Sequence, residues 1–193
     1  MSVWYLWALS FAVGGFGIQF EVTNPLMATR VFHLGPLGFG LLGTFIAAGG
    51  IVGNFYSSRC RDPDSREFLT WATLFGAAEA VAAVMPVAWA YDVLMVVIGA
   101  AIQLFAVSAT VYVQKAAPEG QRGHALSAYN AGFMGFVPAG SFVVAGLAAV
   151  AGTRWALIGP GTVILACGVI MLAGYRGTGR AGVSCPAGVN AGD

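Results

Sequence analysis

The sequence predicts an all-α, polytopic membrane protein with six transmembrane helices. Composition is the first reason, because 58% of the 193 residues are hydrophobic and only 9% are charged, whereas soluble domains carry about 25% charged residues. The second reason is that the apolar residues form long runs of about 20 residues, the length that an α-helix needs to cross a bilayer. A mean hydropathy of +0.79 is typical of the same class.

Six apolar runs are long enough to span a membrane, and Gly and Pro punctuate the short connections between them. Short connections indicate a helical bundle, so residues 1–175 are predicted to form one six-helix transmembrane domain. Residues 176–193 are rich in Gly and Ala without periodicity, which predicts a disordered cytoplasmic tail. The predicted spans are Val3–Val31, Gly38–Ser58, Phe68–Ala88, Val93–Ala116, Ala125–Val150 and Ala156–Tyr175.

The distribution of positive charge predicts the orientation. Seven of the nine Lys and Arg residues fall in the connection after span two, the connection after span four, and the tail. The positive-inside rule places these segments in the cytoplasm, together with both termini. We therefore expect a multi-pass protein of the cell (inner or plasma) membrane, in contact with the lipid bilayer.

Several other function classes lack their motifs. A net charge of +1 leaves no basic patch for nucleic acid. The cysteines and histidines show no CxxC or HExxH spacing, so no metal and no cofactor are expected. Gly38–Gly43 matches GxGxxG, but a dinucleotide site needs a preceding strand. We therefore interpret these glycines, like those of Gly49–Gly53, as helix-packing positions. No nucleophile motif occurs, so the chain is not expected to be an enzyme.

The first span contains the polar residues Gln19, Glu21 and Asn24, and polar groups inside a span usually have a function. Pro25 cannot donate to the Glu21 carbonyl, which predicts a bend at Glu21. On an ideal helix Gln19 and Glu21 point about 160° apart, so they share a cavity only if the helix is distorted or the cavity is wide. Glu21 is either a proton- or substrate-binding carboxyl or an outer-interface carboxylate paired with Arg30.

The fourth span carries a polar stripe. Gln103, Thr110 and Gln114 recur at i, i+7 and i+11, which places them within about 40° of one another around a helix. Lipid does not tolerate such a stripe cheaply, so it should face a cavity or another helix. We interpret the stripe as cavity-lining, and hydrogen bonding between helices is the alternative.

Two other spans add polar candidates. Asn130 lies with Ser127 and Ser141 on one face of the fifth span. Glu79 lies near the middle of the third span, where an ionised carboxylate costs about 2.5–3.5 kcal/mol on insertion scales. Glu79 is thus a second candidate proton carrier, or a neutral carboxyl hydrogen-bonded to a neighbouring helix.

Three segments are suggestive of a family: LGPLGFGLL at Leu34–Leu42, QKAAPEGQRGHALSAY at Gln114–Tyr129, and PAGS at Pro138–Ser141. With the six predicted helices they resemble one half of a major facilitator superfamily transporter. The resemblance is to the C-terminal half, in particular that of the enterobactin-exporter-like and macrolide-efflux-like branch. It covers nearly all of residues 1–175 and implies that spans one to six match helices seven to twelve of such a transporter.

The resemblance also implies roles for the polar residues. It places spans one and four on a central cavity and span three at the periphery, and it makes the charged cytoplasmic connections gating loops. The resemblance favours Gln19, Glu21, Asn24, Gln103 and Thr110 as cavity residues and makes Glu79 only the secondary proton candidate. Gln114 of the stripe and Asn130 of the fifth span complete the predicted substrate and proton pathway. The implied gating residues are Arg59, Arg61, Asp62, Arg66 and Arg122.

The function that the resemblance implies is secondary active efflux of a small amphipathic molecule, coupled to proton antiport. Such transporters have two halves with the site between them, so we expect a second six-helix half, either a separate chain or a second copy. A truncated remnant is another interpretation of the length. The alternative function is an orphan membrane domain without transport activity that acts as a helix-packing partner.

Overall fold

The computed structural model describes residues 3–59 and 65–174, whose regular structure is entirely helical, and this confirms the all-α prediction. The predicted tail lies outside the described residues, as do the loop positions Arg61 and Asp62. The α-helices are α1 (Val3–Ala12), α2 (Phe20–Leu26), α3 (Pro36–Arg59), α4 (Ser65–Val84), α5 (Ala88–Ala116), α6 (Arg122–Gly135), α7 (Val137–Val150) and α8 (Thr153–Gly174). Two π-helical segments, Val13–Gly17 and Met27–Val31, follow α1 and α2 respectively.

Five helical stretches in the described ranges are long and apolar enough to cross a membrane, and they correspond to predicted spans two to six. One of them joins α6 to α7 through Phe136, whose φ of −86° and ψ of −16° keep the chain near the helical conformation. The multi-pass membrane class is therefore confirmed. The five stretches are Pro36–Arg59, Arg66–Val84, Ala88–Ala116, Arg122–Val150 and Thr153–Gly174.

The first predicted span, Val3–Val31, is not one continuous helix. It consists of α1, the first π segment, α2 and the second π segment, and Gln19 stands at the break before α2 with φ −104° and ψ 30°. The first π segment contains three glycines, which lower helix propensity, and Pro25 removes a donor inside α2. The regular helix is interrupted at Gln19, two residues before the predicted bend at Glu21, which lies in the first turn of α2. A sixth span stays a prediction.

Glycines bring α3 and α5 into close backbone contact. A Cβ atom on Gly49 would lie 2.8 Å from the carbonyl carbon of Val96, and one on Gly53 would lie 2.8 Å from the carbonyl oxygen of Ala100. Real Cβ atoms essentially never come so close, so only glycine permits this packing. The packing role predicted for Gly49–Gly53 is confirmed.

The glycines of Gly38–Gly43 behave differently. A Cβ on Gly40 or Gly43 would meet no atom within 4 Å, and one on Gly38 would meet only the side chain of Leu34. The prediction that this run permits close helix packing is therefore wrong for the described contacts of this chain. The run lies in the first turns of α3, so it also lacks the strand that a dinucleotide site requires.

The centre of the bundle is formed by α4, α5 and α8. Gly76 of α4 and Gly161 of α8 allow a second close approach, since a Cβ on Gly76 would lie 2.6 Å from the Leu165 nitrogen. The Phe68 and Phe105 rings stack between α4 and α5 with their centroids 4.9 Å apart. The stretches Pro36–Arg59 and Arg122–Val150 are less buried than α4, α5 and α8. Their outer faces are therefore available to lipid or to another chain.

Candidate functional site

The polar residues predicted for the pathway fall into two groups in the structure. Gln19, Asn24 and Glu79 are buried inside the helical bundle. A second set lies on partly or fully exposed surfaces of the same bundle and comprises Glu21, Gln103, Thr110, Gln114 and Asn130. The two groups have different partners, so the structure does not bring all the predicted residues together in one place.

Gln19 holds the broken first segment against α7. Its side chain is 3% exposed, and its Nε2 donates to the carbonyl oxygens of Gly15 at 3.0 Å and Val137 at 3.1 Å. The Ser141 hydroxyl donates to Gln19 Oε1 at 2.5 Å. Both hydrogens of the Gln19 side-chain amide are thus donated to backbone carbonyl oxygens of the protein. Gly140 completes the contact, because a Cβ there would lie 2.8 Å from Gln19 Nε2.

Asn24 connects α2 with α5. It is 4% exposed, and the fully buried Tyr91 hydroxyl donates to its Oδ1 at 3.1 Å. The Phe32 ring, just after the second π segment, lies against Tyr91 with a centroid distance of 5.3 Å. Among the described residues, this side-chain hydrogen bond joins the Pro-containing helix α2 to the long helix α5.

Glu79 lies in the same region. Its side chain is 2% exposed, and its Oε2 has no hydrogen-bond partner among residues 3–59 and 65–174. The Oδ1 of Asp92 is likewise buried without a partner in those ranges, although the Asp92 residue is half-buried overall. The charges of both carboxyl groups act electrostatically on the Tyr91 hydroxyl. We call Asn24, Glu79, Tyr91 and Asp92 the buried polar cluster.

The polar stripe of α5 faces away from the centre of the bundle. The opposite side of α5 is buried, from Tyr91 through Ile98 and Phe105 to Val113. Gln103 and Thr110, by contrast, are half-buried, and Gln114 is exposed.

The stripe has a partner on α3. Gln103 Nε2 donates to Asn54 Oδ1 at 2.9 Å, and this pair is exposed. The stripe thus combines an amide pair between α3 and α5 with groups that face outward. The alternative of interhelical hydrogen bonding applies to Gln103. The cavity-lining interpretation stays a prediction for Thr110 and Gln114.

Asn130 is exposed on α6, together with Ser127 and Met134. The other side of the same helix is buried through Tyr129, whose hydroxyl lies 3.2 Å from the Ser10 Oγ of α1. Asn130 therefore points away from the core on a helix that packs against the broken first segment. It adds an outward-facing amide to those of the stripe.

Glu21 is exposed on α2, on a different side of the chain from the buried Gln19. The two side chains therefore do not share a buried site, as their angular separation on an ideal helix suggested. Arg30 is also exposed, and within the described ranges no ion pair joins it to Glu21. The alternative of a Glu21–Arg30 pair is not found in this structure.

The described residues of the predicted gating loops lie at helix ends. Arg59 ends α3, with its guanidinium carbon 3.7 Å from the centroid of the Phe55 ring. Arg66 is exposed in the first turn of α4, and Arg122 begins α6. The turn before α6 contains Gly120 with φ +88°, a conformation that favours glycine.

Two of these contacts involve residues that the sequence pattern did not reveal. Tyr91 lies near the start of a span, where an aromatic side chain is typical of the membrane interface. Asn54 is a single amide near the end of a span, and only its position beside Gly53 indicated closeness to α5. Neither belongs to a periodic polar pattern, so neither could be recognised without the packing of α2, α3 and α5.

The comparisons with known proteins agree with the helical architecture. Residues 7–176 match a family model of the major facilitator type that is described as transmembrane secretion effector. The comparisons with curated proteins and with solved structures give no match. The family match spans most of the chain, including the broken first segment and all five long helical stretches.

Proposed function

We propose a function from one premise: the chain belongs to the transmembrane secretion effector family, a group of transporters of the major facilitator type. On that premise, the described helices act as one half of a secondary active exporter. The exported molecule is small and amphipathic, and it moves by alternating access in exchange for protons. A second six-helix half, encoded separately or supplied by a second copy, completes the transport path.

The outward-facing stripe of α5 carries this proposal. Gln103 and Thr110 are half-buried and Gln114 is exposed, all on the side of α5 away from the bundle core. Gln103 donates to Asn54 at 2.9 Å. A row of amide and hydroxyl groups directed into lipid would cost free energy at each position. The same row directed at a water-containing cavity between two halves would not. The exposed side of α5 is therefore assigned to the substrate path.

The surrounding surface favours an amphipathic substrate. Exposed apolar side chains lie close in sequence to the exposed amide of Asn130, among them Met134 at 60% and Phe136 at 43% exposure. Ligand sites commonly combine apolar walls with a few polar groups that fix orientation. Gln19 and Asn24 have a different role in this proposal, because they hold the broken first segment rather than contact substrate.

The surface of α3 supports a second half. Only 17% of the 18-residue apolar stretch within α3 is buried, compared with 50% of the corresponding stretch within α4. Ile51 and Phe55 on this helix are 70% and 61% exposed, on either side of the Asn54 position in the chain. Apolar side chains next to an exposed amide suit an interface that is partly packed and partly open to a cavity.

Transport is tested with the full chain reconstituted into liposomes that contain ethidium, with a pH gradient across the membrane. Gradient-driven ethidium movement is expected when two halves associate. If the second half is another copy, the rate of ethidium movement should rise more steeply than in proportion to the protein-to-lipid ratio. Native mass spectrometry of the same preparation in detergent identifies the dimer. A stable monomer that moves no ethidium would refute the proposal and favour the orphan domain that acts as a packing partner.

A pair of matched variants tests the path itself. Thr110→Val removes a hydroxyl from the stripe, whereas Thr162→Val makes the same change on the exposed side of α8, where the hydroxyl donates to the Ile158 carbonyl of its own helix at 2.7 Å. Loss of one neutral hydrogen bond changes an equilibrium about two- to tenfold. Thr110→Val should raise the half-saturating ethidium concentration by that factor, and Thr162→Val should leave it unchanged. Equal effects would remove the stripe from the path.

A further inference from the structure

The buried polar cluster contains a carboxyl group that the fold isolates from cations. Glu79 is 2% exposed and its Oε2 has no hydrogen-bond partner in the described ranges. An isolated ionised carboxylate is strongly disfavoured in such surroundings, and the usual remedies are a bound cation or a bound proton. Burial and an unsatisfied oxygen together identify Glu79 as a group that takes up a positive charge.

The charged and titratable groups on the neighbouring helices do not supply that charge. From α5 the cluster presents the Tyr91 hydroxyl and the Asp92 carboxyl, neither of which is cationic. From α8, Arg154 reaches α4, but its Nη1 donates to the Ala83 carbonyl oxygen at 3.2 Å. On α2, Glu21 is exposed rather than directed at the cluster.

The Tyr91 hydroxyl is the group of the buried polar cluster that bonds to the broken first segment. A hydroxyl has one hydrogen to donate, and here it goes to Asn24 Oδ1 at 3.1 Å. An ionised carboxylate is a stronger acceptor than an amide oxygen. If Glu79 loses its proton, its carboxylate competes for the hydrogen that now holds Asn24.

Asn24 lies where the chain can move. It precedes Pro25 in α2, a helix of 7 residues with an irregular break before it and a π segment after it. Kinks at proline and π segments are places where a helix ladder is weakened, and π segments are frequent at functional sites. A change at Asn24 would therefore shift the short helix α2, and no long, regular helix would have to move with it.

We propose that Glu79 is the coupling-proton site of this protein and that Tyr91 and Asn24 transmit its protonation to α2. With the proton bound, Tyr91 holds Asn24 and α2 is fixed against α5. With the proton released, the hydroxyl turns to the carboxylate and α2 loses this hydrogen bond to α5. The inference rests on the proposed proton-coupled transport, and it assigns the coupling proton to Glu79 rather than to the exposed Glu21.

The protonation state of Glu79 is measured by infrared spectroscopy of the full chain in lipid nanodiscs over a pH series. The wild type should show a protonated-carboxyl band that disappears as pH rises. Glu79→Gln should lack this band, and the matched control Glu21→Gln should keep it. A band that survives in Glu79→Gln overturns the assignment. Removal of the band by Na⁺ at fixed pH would show a metal-cation site and would also overturn it.

The effect of Glu79 protonation on α2 is measured by hydrogen exchange of the backbone amides of Phe20–Leu26. The exchange rates are corrected for the intrinsic effect of pH on amide exchange. In the wild type, exchange should rise about two- to tenfold, the effect of losing one hydrogen bond, over the same pH range in which the band disappears. Tyr91→Phe should show the higher rate at every pH, and Glu79→Gln the lower rate. A pH step that persists unchanged in Glu79→Gln, or is absent from the wild type, refutes the link.

The two proposals can fail separately. The infrared and exchange measurements require no substrate and no second half, so they can succeed in a chain that transports nothing. Conversely, ethidium transport that continues unchanged in Glu79→Gln with its full pH dependence would leave efflux intact and overturn the coupling role. Should Glu79→Gln lose helical circular dichroism, Tyr91→Phe still tests the link, because an unchanged pH step in that variant contradicts it.

Discussion

Replacing Gly49 with alanine tests whether the α3–α5 contact depends on the absence of a side chain. The added Cβ would lie 2.8 Å from the carbonyl carbon of Val96 and 3.0 Å from the backbone nitrogen of Ala100, with the Val96 carbonyl oxygen closer still. These are backbone atoms of a long helix, so no side-chain rotation relieves the overlap. The two helices must separate for the substitution to be accommodated.

The neighbouring residue provides a matched control. A Cβ on Gly50 would meet no atom within 4 Å, so Gly50→Ala changes only the intrinsic helix preference. Alanine is favoured over glycine inside a helix by about 0.5–1 kcal/mol. Gly49→Ala gains the same helix preference, but its added Cβ overlaps with the backbone of α5. Forced overlap in a packed interior costs about 1–3 kcal/mol. The two variants should therefore differ by about 1–3 kcal/mol in the free energy of unfolding.

Denaturation in mixed detergent micelles, followed by circular dichroism of the helices, measures this difference. The order of stability should be Gly50→Ala, then wild type, then Gly49→Ala. The displacement should also disturb the Gln103–Asn54 hydrogen bond, which joins the same two helices at 2.9 Å. Gly49→Ala as stable as Gly50→Ala would show that α3 and α5 do not pack as closely as described.

Three further outcomes follow from buried contacts. Gln19→Leu should lower the free energy of unfolding by about 1–3 kcal/mol, because buried polar partners lose their hydrogen bonds; a neutral effect in detergent denaturation would contradict this. Gly140→Ala should destabilise the first segment by overlap with backbone, while Gly146→Ala, which meets open space, should not; equal unfolding curves would count against the contact. Tyr129→Phe should cost about 0.5–1.5 kcal/mol by the same denaturation assay, through its lost hydrogen bond to Ser10, and a wild-type stability would show that the bond contributes nothing.

The part of the fold that sequence could predict is the part that depends on periodicity and composition. Long apolar runs predicted the five long helical stretches, and the spacing of Gln103, Thr110 and Gln114 predicted one shared face on α5. Both are properties of a single helix. The spacing of Gly49 and Gly53 in α3 likewise predicted close packing, because the absence of side chains lets two helix backbones approach. The same prediction for the glycines of Gly38–Gly43 was wrong, since within the described ranges no neighbouring helix lies against them.

The rest depended on contacts between elements distant in sequence. Whether Gln19 faces a cavity or the protein interior depends on the irregular backbone before α2 and on Val137, 118 residues away. Glu79 was expected at the periphery because family architecture places its helix there. Its own position is buried, since the side of α4 that carries it faces the interior. A helix can be peripheral while one of its side chains is not.

The distribution of contacts indicates which parts move together. The α3 and α5 backbones meet through Gly49, Gly53 and Gly99 without intervening side chains, so they should move as one body that carries the outward stripe. The α2 helix, by contrast, contacts α5 through the Asn24 hydrogen bond, and its Val22 and Leu26 side chains pack against α7 and α8. Gln19, just before α2, adds hydrogen bonds to α7. Individual hydrogen bonds can exchange partners, whereas a glycine backbone contact cannot without separation of the helices. Motion that opens a path beside the stripe should therefore occur in the broken first segment.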